Sequence, residues 1–321
     1  MHRFLVFTAL FAAPAMADAP KVVTDIAPVH SLVTQVMQGV GTPSLLVDRE
    51  SDPHHFQLRP SQARAISNSD ALIWVGASLT PWLEHALDGL GPKGRQLELL
   101  DIPGLPLLAF GSDGAHDEDA DHDDHNAADH DDHDEHDEHD DHDEHDHRGI
   151  DPHAWLSPEI AGLWVSEIAA TLGTVDPENA ALYQTNAAKA QARLTALDQQ
   201  VKTRLAPTQG APILLYHDAY GYFAHHFGLT IVSTVAQGDA ADPGAAHLAE
   251  QRTLVNDGNV ACLFPEAGQN TAYMDAIIAG GDARIGAPLD PSGILLTPGP
   301  GLYDALLTAM ADTITNCVVQ N

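Results

Sequence analysis

The feature that most limits how this chain can fold is a tract rich in Asp, Glu and His near its middle, residues 113–148. The tract holds 19 acidic residues and one arginine, which contribute −18 to the chain's net charge of −32, and it holds almost no apolar residues. Such a segment buries too little apolar surface to offset the conformational entropy lost on ordering. We therefore predict a disordered insertion at 113–148, so that any folded core is built from the flanking sequence.

The first 17 residues predict export. Arg3 precedes a short apolar run, and the sequence Ala15-Met16-Ala17 has the small-residue pattern of a signal-peptide cleavage site. The apolar run is far shorter than the roughly 20 residues that span a bilayer. We assign residues 1–17 to a signal peptide, expect the mature chain to begin at Asp18, and place the protein in a bacterial periplasm.

Outside the tract, the composition is that of a globular protein large enough for two domains, since 44% of the 321 residues are hydrophobic. The strongly acidic balance excludes nucleic acid as a partner, because nucleic-acid binding depends on basic patches. Cys262 and Cys317 are the only cysteines. In an oxidising compartment, a pair of cysteines favours a disulfide over two free thiols or a thiolate metal site, and closing this loop would stabilise the fold by about 4 kcal/mol.

Short β-rich runs alternate with helical patterns on both sides of the tract, which is typical of α/β units. We predict an N-terminal α/β lobe over 18–175 and a C-terminal α/β lobe over 207–321. The predicted strands of the two lobes are 21–25, 43–47, 70–76 and 94–100, then 212–219, 229–235, 259–266 and 283–289. The predicted helices are 30–37, one ending near 87, one between the sequences GIDPHAWLSPE and VDPENA, 221–227, 247–256, 271–279 and 302–317.

A long helix is predicted between the lobes, over residues 176–206. Asp176 is a candidate N-cap with Pro177 at the first helical position, and Pro207 and Gly210 end the pattern. At about 1.5 Å per residue, the run from Pro177 to Leu205 would be roughly 43 Å long, so we interpret the helix as a rigid connection between two lobes with parallel-type sheets. The apolar positions that predict its buried face are Leu182, Ala190, Leu194, Leu197, Val201 and Leu205.

Three histidines share a setting typical of ligand sites. His54 follows a predicted strand, His153 lies just after the tract, and His217 ends a predicted strand. Ligands of open α/β sheets bind in loops at the carboxyl ends of strands, so one histidine from each loop can converge between the lobes. Five other histidines outside the tract and the signal peptide are interpreted as surface or packing groups: His30, His85, His225, His226 and His247.

Three imidazoles with one further ligand match the four-coordinate geometry that Zn(II) prefers. The fourth ligand stays open between Asp290, Glu266 and a water molecule, and we favour Asp290 because it follows a predicted strand of the second lobe. The tract carries ten more histidines with carboxylates between them, which predicts several labile, weakly selective auxiliary metal sites. These are His116, His122, His125, His130, His133, His136, His139, His142, His145 and His147.

Three motifs, "DPHHFQLRPS", "DPHAWLSP" and "YHDAYGYF", occur in this order together with a signal peptide and an Asp/His-rich insertion. In this combination the chain closely resembles the zinc-binding solute-binding proteins of metal ABC importers, the ZnuA family, over essentially its mature length. The resemblance implies a two-lobed fold with metal in the interlobe cleft, His54, His153 and His217 as ligands, and pairing of Cys262 with Cys317. His55 follows His54 where family members vary, and we assign the ligand to His54.

The function implied by the resemblance is high-affinity capture of Zn(II) in the periplasm and its delivery to an ABC permease. The expected partners are that permease and, as a further candidate, a periplasmic metallochaperone, with the protein itself a monomer. Manganese-type relatives replace one imidazole with a carboxylate, so three histidines favour zinc over manganese or another divalent metal. A zinc-dependent hydrolase is disfavoured because the chain has no H-E-x-x-H helix, and a passive metal buffer would not need two α/β lobes. We therefore expect no enzyme activity.

Overall fold

Two four-stranded parallel sheets, one in each half of the chain, organise the fold. The structure is a computed structural model that describes residues 18–110, 149–236 and 243–319. The predicted signal peptide, and the acidic tract with its ten auxiliary histidines, lie outside these ranges. The prediction of two α/β lobes with parallel sheets and a long helix is confirmed.

The N-terminal lobe contains a sheet with the strand order β2-β1-β3-β4. Its strands are β1 (Val22–Thr24), β2 (Ser44–Leu45), β3 (Ala71–Trp74) and β4 (Arg95–Glu98). Its helices are α1 (Ala27–Val36), α2 (Pro60–Ser67), α3 (Pro81–Leu90) and α4 (Pro158–Val175). Helix α2 was missed by the sequence interpretation because only Gln62 and Ile66 of its eight residues are buried, which is too few to produce an apolar stripe.

The C-terminal lobe repeats this arrangement with the strand order β6-β5-β7-β8. Its strands are β5 (Pro212–His217), β6 (Thr230–Ala236), β7 (Cys262–Phe264) and β8 (Arg284–Ile285). Its helices are α6 (Gly221–Phe227), α7 (Ala245–Asn256), α8 (Ala272–Ile278) and α9 (Leu302–Val319). Each of these elements lies within two residues of, or inside, a predicted one.

Helix α5 (Ala180–Leu205) is the long helix, with 26 residues and a length of about 39 Å. It begins three residues later than predicted, because Pro177–Asn179 forms a short 3-10 turn. The Asp176 carboxylate does not cap backbone amides there but accepts hydrogen bonds from the side chains of Asn179 and Tyr183, each at 2.7 Å. Five of the six predicted buried positions are buried, whereas Leu182 is exposed and Tyr183 is buried in its place.

One hydrophobic core runs through both lobes. Alternate strand residues face opposite layers, so that Val22 and Ile73 join this shared core while Leu72 packs on the outer side of its sheet. In the second lobe, Ile213 joins the same core and Leu214 an outer cluster. Helix α5 contributes its buried stripe to the shared core and packs against α1, α4 and α9. The lobes are therefore joined by apolar packing as well as by the chain.

Cys262 on β7 and Cys317 on α9 form a disulfide, as predicted. Their separation of 55 residues means that the bond ties the last helix to the interior of the second sheet.

The residues that flank the segment 111–148 lie side by side. Ala109 and Ile150 form an antiparallel bridge, and the Gly149 carbonyl accepts a hydrogen bond from the Phe110 amide at 3.1 Å. The Asp151 amide donates to the Leu108 carbonyl at 2.9 Å, so the bridge continues directly into the segment that carries His153.

Candidate metal centre

Three imidazoles converge between the lobes. His54, His153 and His217 each offer a ligand atom within 4.8 Å of the other two. Their ring centroids lie 5.2 Å apart for His153 and His217, and 5.5 and 5.6 Å from His54 to each of these. Three nitrogens bound tetrahedrally to one zinc ion would be about 3.4 Å apart, so small side-chain adjustments would bring the three onto one ion.

His153 is held by a carboxylate two residues before it. The Asp151 Oδ1 atom lies 2.8 Å from His153 Nδ1 and also accepts the His153 backbone N–H at 2.9 Å. Both side chains are almost fully buried. A carboxylate at Nδ1 keeps the proton on that nitrogen and places the lone pair on Nε2, the tautomer in which Nε2 binds metal.

His217 ends β5 and is held by a residue from the neighbouring strand's loop. Its Nδ1 lies 3.3 Å from Glu266 Oε1, and the second oxygen of Glu266 accepts a hydrogen bond from the Tyr220 hydroxyl at 3.0 Å. Burial, together with the negative charge of Glu266, raises the pKa of Tyr220 well above its ordinary value, so the hydroxyl stays protonated and donates. The Tyr220 hydroxyl thus holds one oxygen of Glu266 while the other faces His217.

His54 lies in the loop between β2 and α2 and is half-buried. Its backbone N–H donates to Asp52 Oδ1 at 2.8 Å, which repeats the backbone contact between His153 and Asp151. Each of the two histidines is the last residue of an Asp-Pro-His tripeptide. The aspartate side chain accepts a hydrogen bond from the backbone N–H two residues later, as in an Asx turn. The repeated tripeptide gives two candidate ligands from different parts of the chain the same local support.

A cavity of about 310 Å³ opens beside the histidines and is lined by both lobes. Glu50 and Asp52 contribute carboxylates from the first lobe, and Glu266 and Asp290 from the second. None of the described residues that line it is lysine or arginine. The lining therefore favours a cation over an anion by simple electrostatics.

Asp290, the favoured fourth ligand, lines this cavity but does not belong to the three-histidine cluster. Its two carboxylate oxygens accept hydrogen bonds from the backbone amides of Ile294 and Leu295, at 2.9 and 3.0 Å. Burial raises the pKa of Asp290 and these backbone hydrogen bonds oppose the rise. In this conformation Asp290 builds the turn 290–295, and its role as a ligand stays a prediction.

The remaining histidines of the described ranges lie outside the cluster. His55 is exposed, 3.6 Å from Asp52, and His85 contacts the Pro81 carbonyl within its own helix. His30 contacts the Pro43 carbonyl, and burial lowers its pKa. His226 lies 2.6 Å from Asp198 and His247 lies 2.8 Å from the Thr234 carbonyl. His225 is exposed on α6.

The sequence interpretation did not find the partners of the histidines. The sequence patterns do not point to Asp151, and they predict Glu266 only as a possible ligand rather than as the hydrogen-bond partner of His217. The doubled Asp-Pro-His tripeptide was a usable signal for Asp52 and Asp151. The pairing of Glu266 with His217 depends on the β5–β7 register, which places residues 49 positions apart side by side and leaves no local sequence pattern.

Comparison with known proteins identifies the family. Residues 22–317 match a family model described as "ZnuA: Zinc-uptake complex component A periplasmic". The chain is 48% identical over 307 residues to the high-affinity zinc uptake system protein ZnuA of Paracoccus denitrificans, covering 96% of this chain and 94% of that protein. It is 36% identical over 321 residues to the protein of the same name from Brucella abortus, covering 97% and 96%.

A solved structure shows the same fold. A zinc-bound ZnuA deletion mutant superposes with a TM-score of 0.74 at 23% identity, covering 95% of this chain and all of that one. Within the described ranges, no helix has the length and apolar character needed to cross a membrane. The match to the family model over nearly the whole chain, and the identity to two curated members, establish that this protein belongs to the ZnuA family.

Proposed function

We propose that this protein captures one Zn(II) ion in the bacterial periplasm with His54, His153 and His217 and delivers it to the permease of a zinc ABC importer. The observation that carries the proposal is the convergence of the three imidazoles at one point between the lobes. The names of the relatives, which are zinc uptake proteins, agree with it.

The donor set supports zinc over manganese and magnesium. Imidazole is a good ligand for zinc, whereas manganese and magnesium prefer carboxylate, carbonyl and water oxygens. Two carboxylates, those of Asp151 and Glu266, contact the Nδ1 atoms of His153 and His217. That arrangement raises the basicity of an imidazole and orients it toward a metal ion.

The main alternative from another class is a zinc hydrolase, which needs a coordinated water and a general base poised to act on a substrate. Glu266 lines the cavity and contacts the cluster, but it is already engaged by His217 and Tyr220. An ester or peptide turnover that tracks zinc content would favour the hydrolase.

The deciding experiment is a competitive zinc titration of His153→Ala and His217→Ala against a chromophoric chelator. We expect one tight zinc site in the wild-type cleft. Zinc binding by protein sites of four ligands is worth about 10–16 kcal/mol, so losing one ligand should weaken it by roughly a hundredfold or more. His85→Ala, which removes an exposed imidazole on α3, is the matched control and should bind zinc like the wild type.

Delivery is tested with the same variants in a zinc-uptake assay with the reconstituted permease. Wild type and His85→Ala should support uptake at low zinc, and the two ligand variants should not. Unchanged affinity in both ligand variants would contradict the proposed site, and zinc binding without any uptake would contradict delivery.

A further inference from the structure

His54 lies on a loop, defined here as the His54 loop, residues 46–59, between β2 and α2. Its two ends are tied together by Arg59, whose guanidinium contacts both oxygens of the Asp48 carboxylate at 2.6 and 2.9 Å. Both side chains are substantially exposed, so this pair contributes little to holding the loop. The position of His54 must therefore be set by contacts nearer the middle of the loop.

The first such contact comes from Trp82, at the start of α3. Its indole Nε1–H donates to the carbonyl oxygen of Pro53 at 2.7 Å. The ring also packs against Phe56, with centroids 5.3 Å apart. Trp82 is half-buried and packs against both the shared core and the outer cluster of its lobe, so its own position is determined by the lobe and not by the loop.

Pro53 and His54 share one peptide unit, and both of its polar groups are held. The carbonyl of this unit is fixed by Trp82, and the N–H on the other side is fixed by Asp52. A planar peptide with both polar groups restrained has a defined orientation, which fixes the position of the His54 Cα atom and the axis about which its side chain turns. The side chain attached there is the imidazole of His54.

We propose that Trp82 is a positioning residue for the metal centre: it sets the orientation of the Pro53–His54 peptide and so places the His54 imidazole where it meets His153 and His217. This inference rests on the proposed function. It assigns to α3, which contributes no ligand, the task that Asp151 and Glu266 perform for the other two histidines.

The test is Trp82→Phe, which keeps an aromatic ring against Phe56 and removes the N–H donor. Loss of residues that orient metal ligands costs 10–100-fold in metal affinity, and because Trp82 acts through the backbone we expect a loss of about tenfold in the competitive zinc titration. Trp74→Phe is the matched control, since Trp74 is a buried indole of the same lobe whose N–H has no hydrogen-bond partner among the described residues. Its zinc affinity should equal that of the wild type.

A double-mutant cycle with His54→Ala distinguishes positioning of His54 by Trp82 from a general structural role of Trp82. When Trp82 acts through His54, Trp82→Phe lowers zinc affinity in the wild-type background and has no further effect once His54 is absent. An equal loss in both backgrounds, or wild-type affinity in folded Trp82→Phe, overturns the proposal. Should Trp82→Phe fail to fold, the isostere 3-benzothienylalanine at position 82 retains the bicyclic ring without the N–H and is judged by the same outcomes.

These outcomes are distinguishable from failure of the proposed function. If His54→Ala itself leaves zinc affinity unchanged, the ligand set is wrong. If His54→Ala weakens zinc binding and Trp82→Phe does not, the site stands and only the role of Trp82 is rejected.

Discussion

At the scale of single residues, two adjacent histidines have contrasting surroundings. His54 lies within the cluster, whereas His55 projects to the surface beside Asp52 with a side chain that is 64% exposed. The Asp52 carboxylate contacts both residues, since Oδ1 accepts the His54 backbone N–H at 2.8 Å and Oδ2 lies 3.6 Å from the His55 imidazole. The sequence alone did not distinguish the two by their surroundings.

This contrast predicts that His54→Ala weakens zinc binding by roughly a hundredfold or more, as loss of one of four ligands should, and that His55→Ala changes it by less than about threefold. Isothermal titration with a competing chelator measures both. An equal loss in the two variants, or a larger one for His55→Ala, would show that the loop presents the other histidine when zinc binds.

The histidine ligand candidates could be found from sequence because loops after strands of α/β sheets are where ligands collect, and each of the three lies in such a loop or at a strand end. Glu266, Tyr220 and Trp82 could not be assigned roles in the same way. Each acts through a contact with a residue 29 to 49 positions away, and such contacts exist only once strands and helices have packed.

At the scale of elements, the second lobe could be predicted almost residue by residue because its strands and helices alternate with clear glycine and proline boundaries. The errors occurred where a pattern was weak or displaced. Helix α2 has too few buried residues to show a period, and on α5 the buried stripe contains Tyr183 instead of the adjacent Leu182. In both helices, tertiary packing determines which residues are buried, and the local apolar period does not show it.

The disulfide between β7 and α9 leads to an element-scale prediction. Replacing both cysteines, Cys262→Ala with Cys317→Ala, should lower the free energy of unfolding by about 2–5 kcal/mol, because the unfolded chain loses a constraint over a long loop. The same variant should retain wild-type zinc affinity, since Cys262 lies on β7 and neither cysteine belongs to the histidine cluster.

Chemical denaturation of the metal-free proteins measures the first quantity, and competitive titration measures the second. Treating the wild type with a reductant supplies an independent control for the alanine substitutions. A loss of zinc affinity with an unchanged free energy of unfolding would contradict this prediction.

At the scale of the whole molecule, polar contacts cross between the lobes around the metal centre and add to their shared apolar core. The Trp155 indole donates to the Pro291 carbonyl at 2.8 Å, and the Tyr303 hydroxyl donates to the Trp155 carbonyl at 2.6 Å. In the loop between β2 and α2, Arg49 donates to the Leu295 carbonyl at 3.0 Å. With this much of the interface buried, we expect zinc binding and release to involve loops more than a rigid rotation of the lobes.

The acidic tract provides the molecule-scale prediction. Deleting residues 116–147 should leave the affinity of the cleft for zinc unchanged, because the tract contributes none of the three converging histidines. The deletion should slow loading of the cleft at low zinc and impair growth under zinc limitation, as expected if the carboxylates and imidazoles of the tract collect the ion first.

The matched control replaces the ten histidines of the tract with glutamine and keeps its length and charge. Stopped-flow loading and growth assays compare the three proteins. If loading rate and growth are unchanged in the deletion, the tract is a spacer, and if the tight site is lost, the cleft site is wrongly placed.

The bridge between Ala109 and Ile150 brings the two ends of the insertion side by side, and only Asp151 and one proline separate it from His153. An insertion whose two ends are neighbours can change in length or composition without displacing the strands and helices of the fold. A compact fluorescent domain grafted between Ala109 and Ile150 would report on the conformation of the segment that carries His153, and would turn this zinc-uptake protein into a genetically encodable sensor.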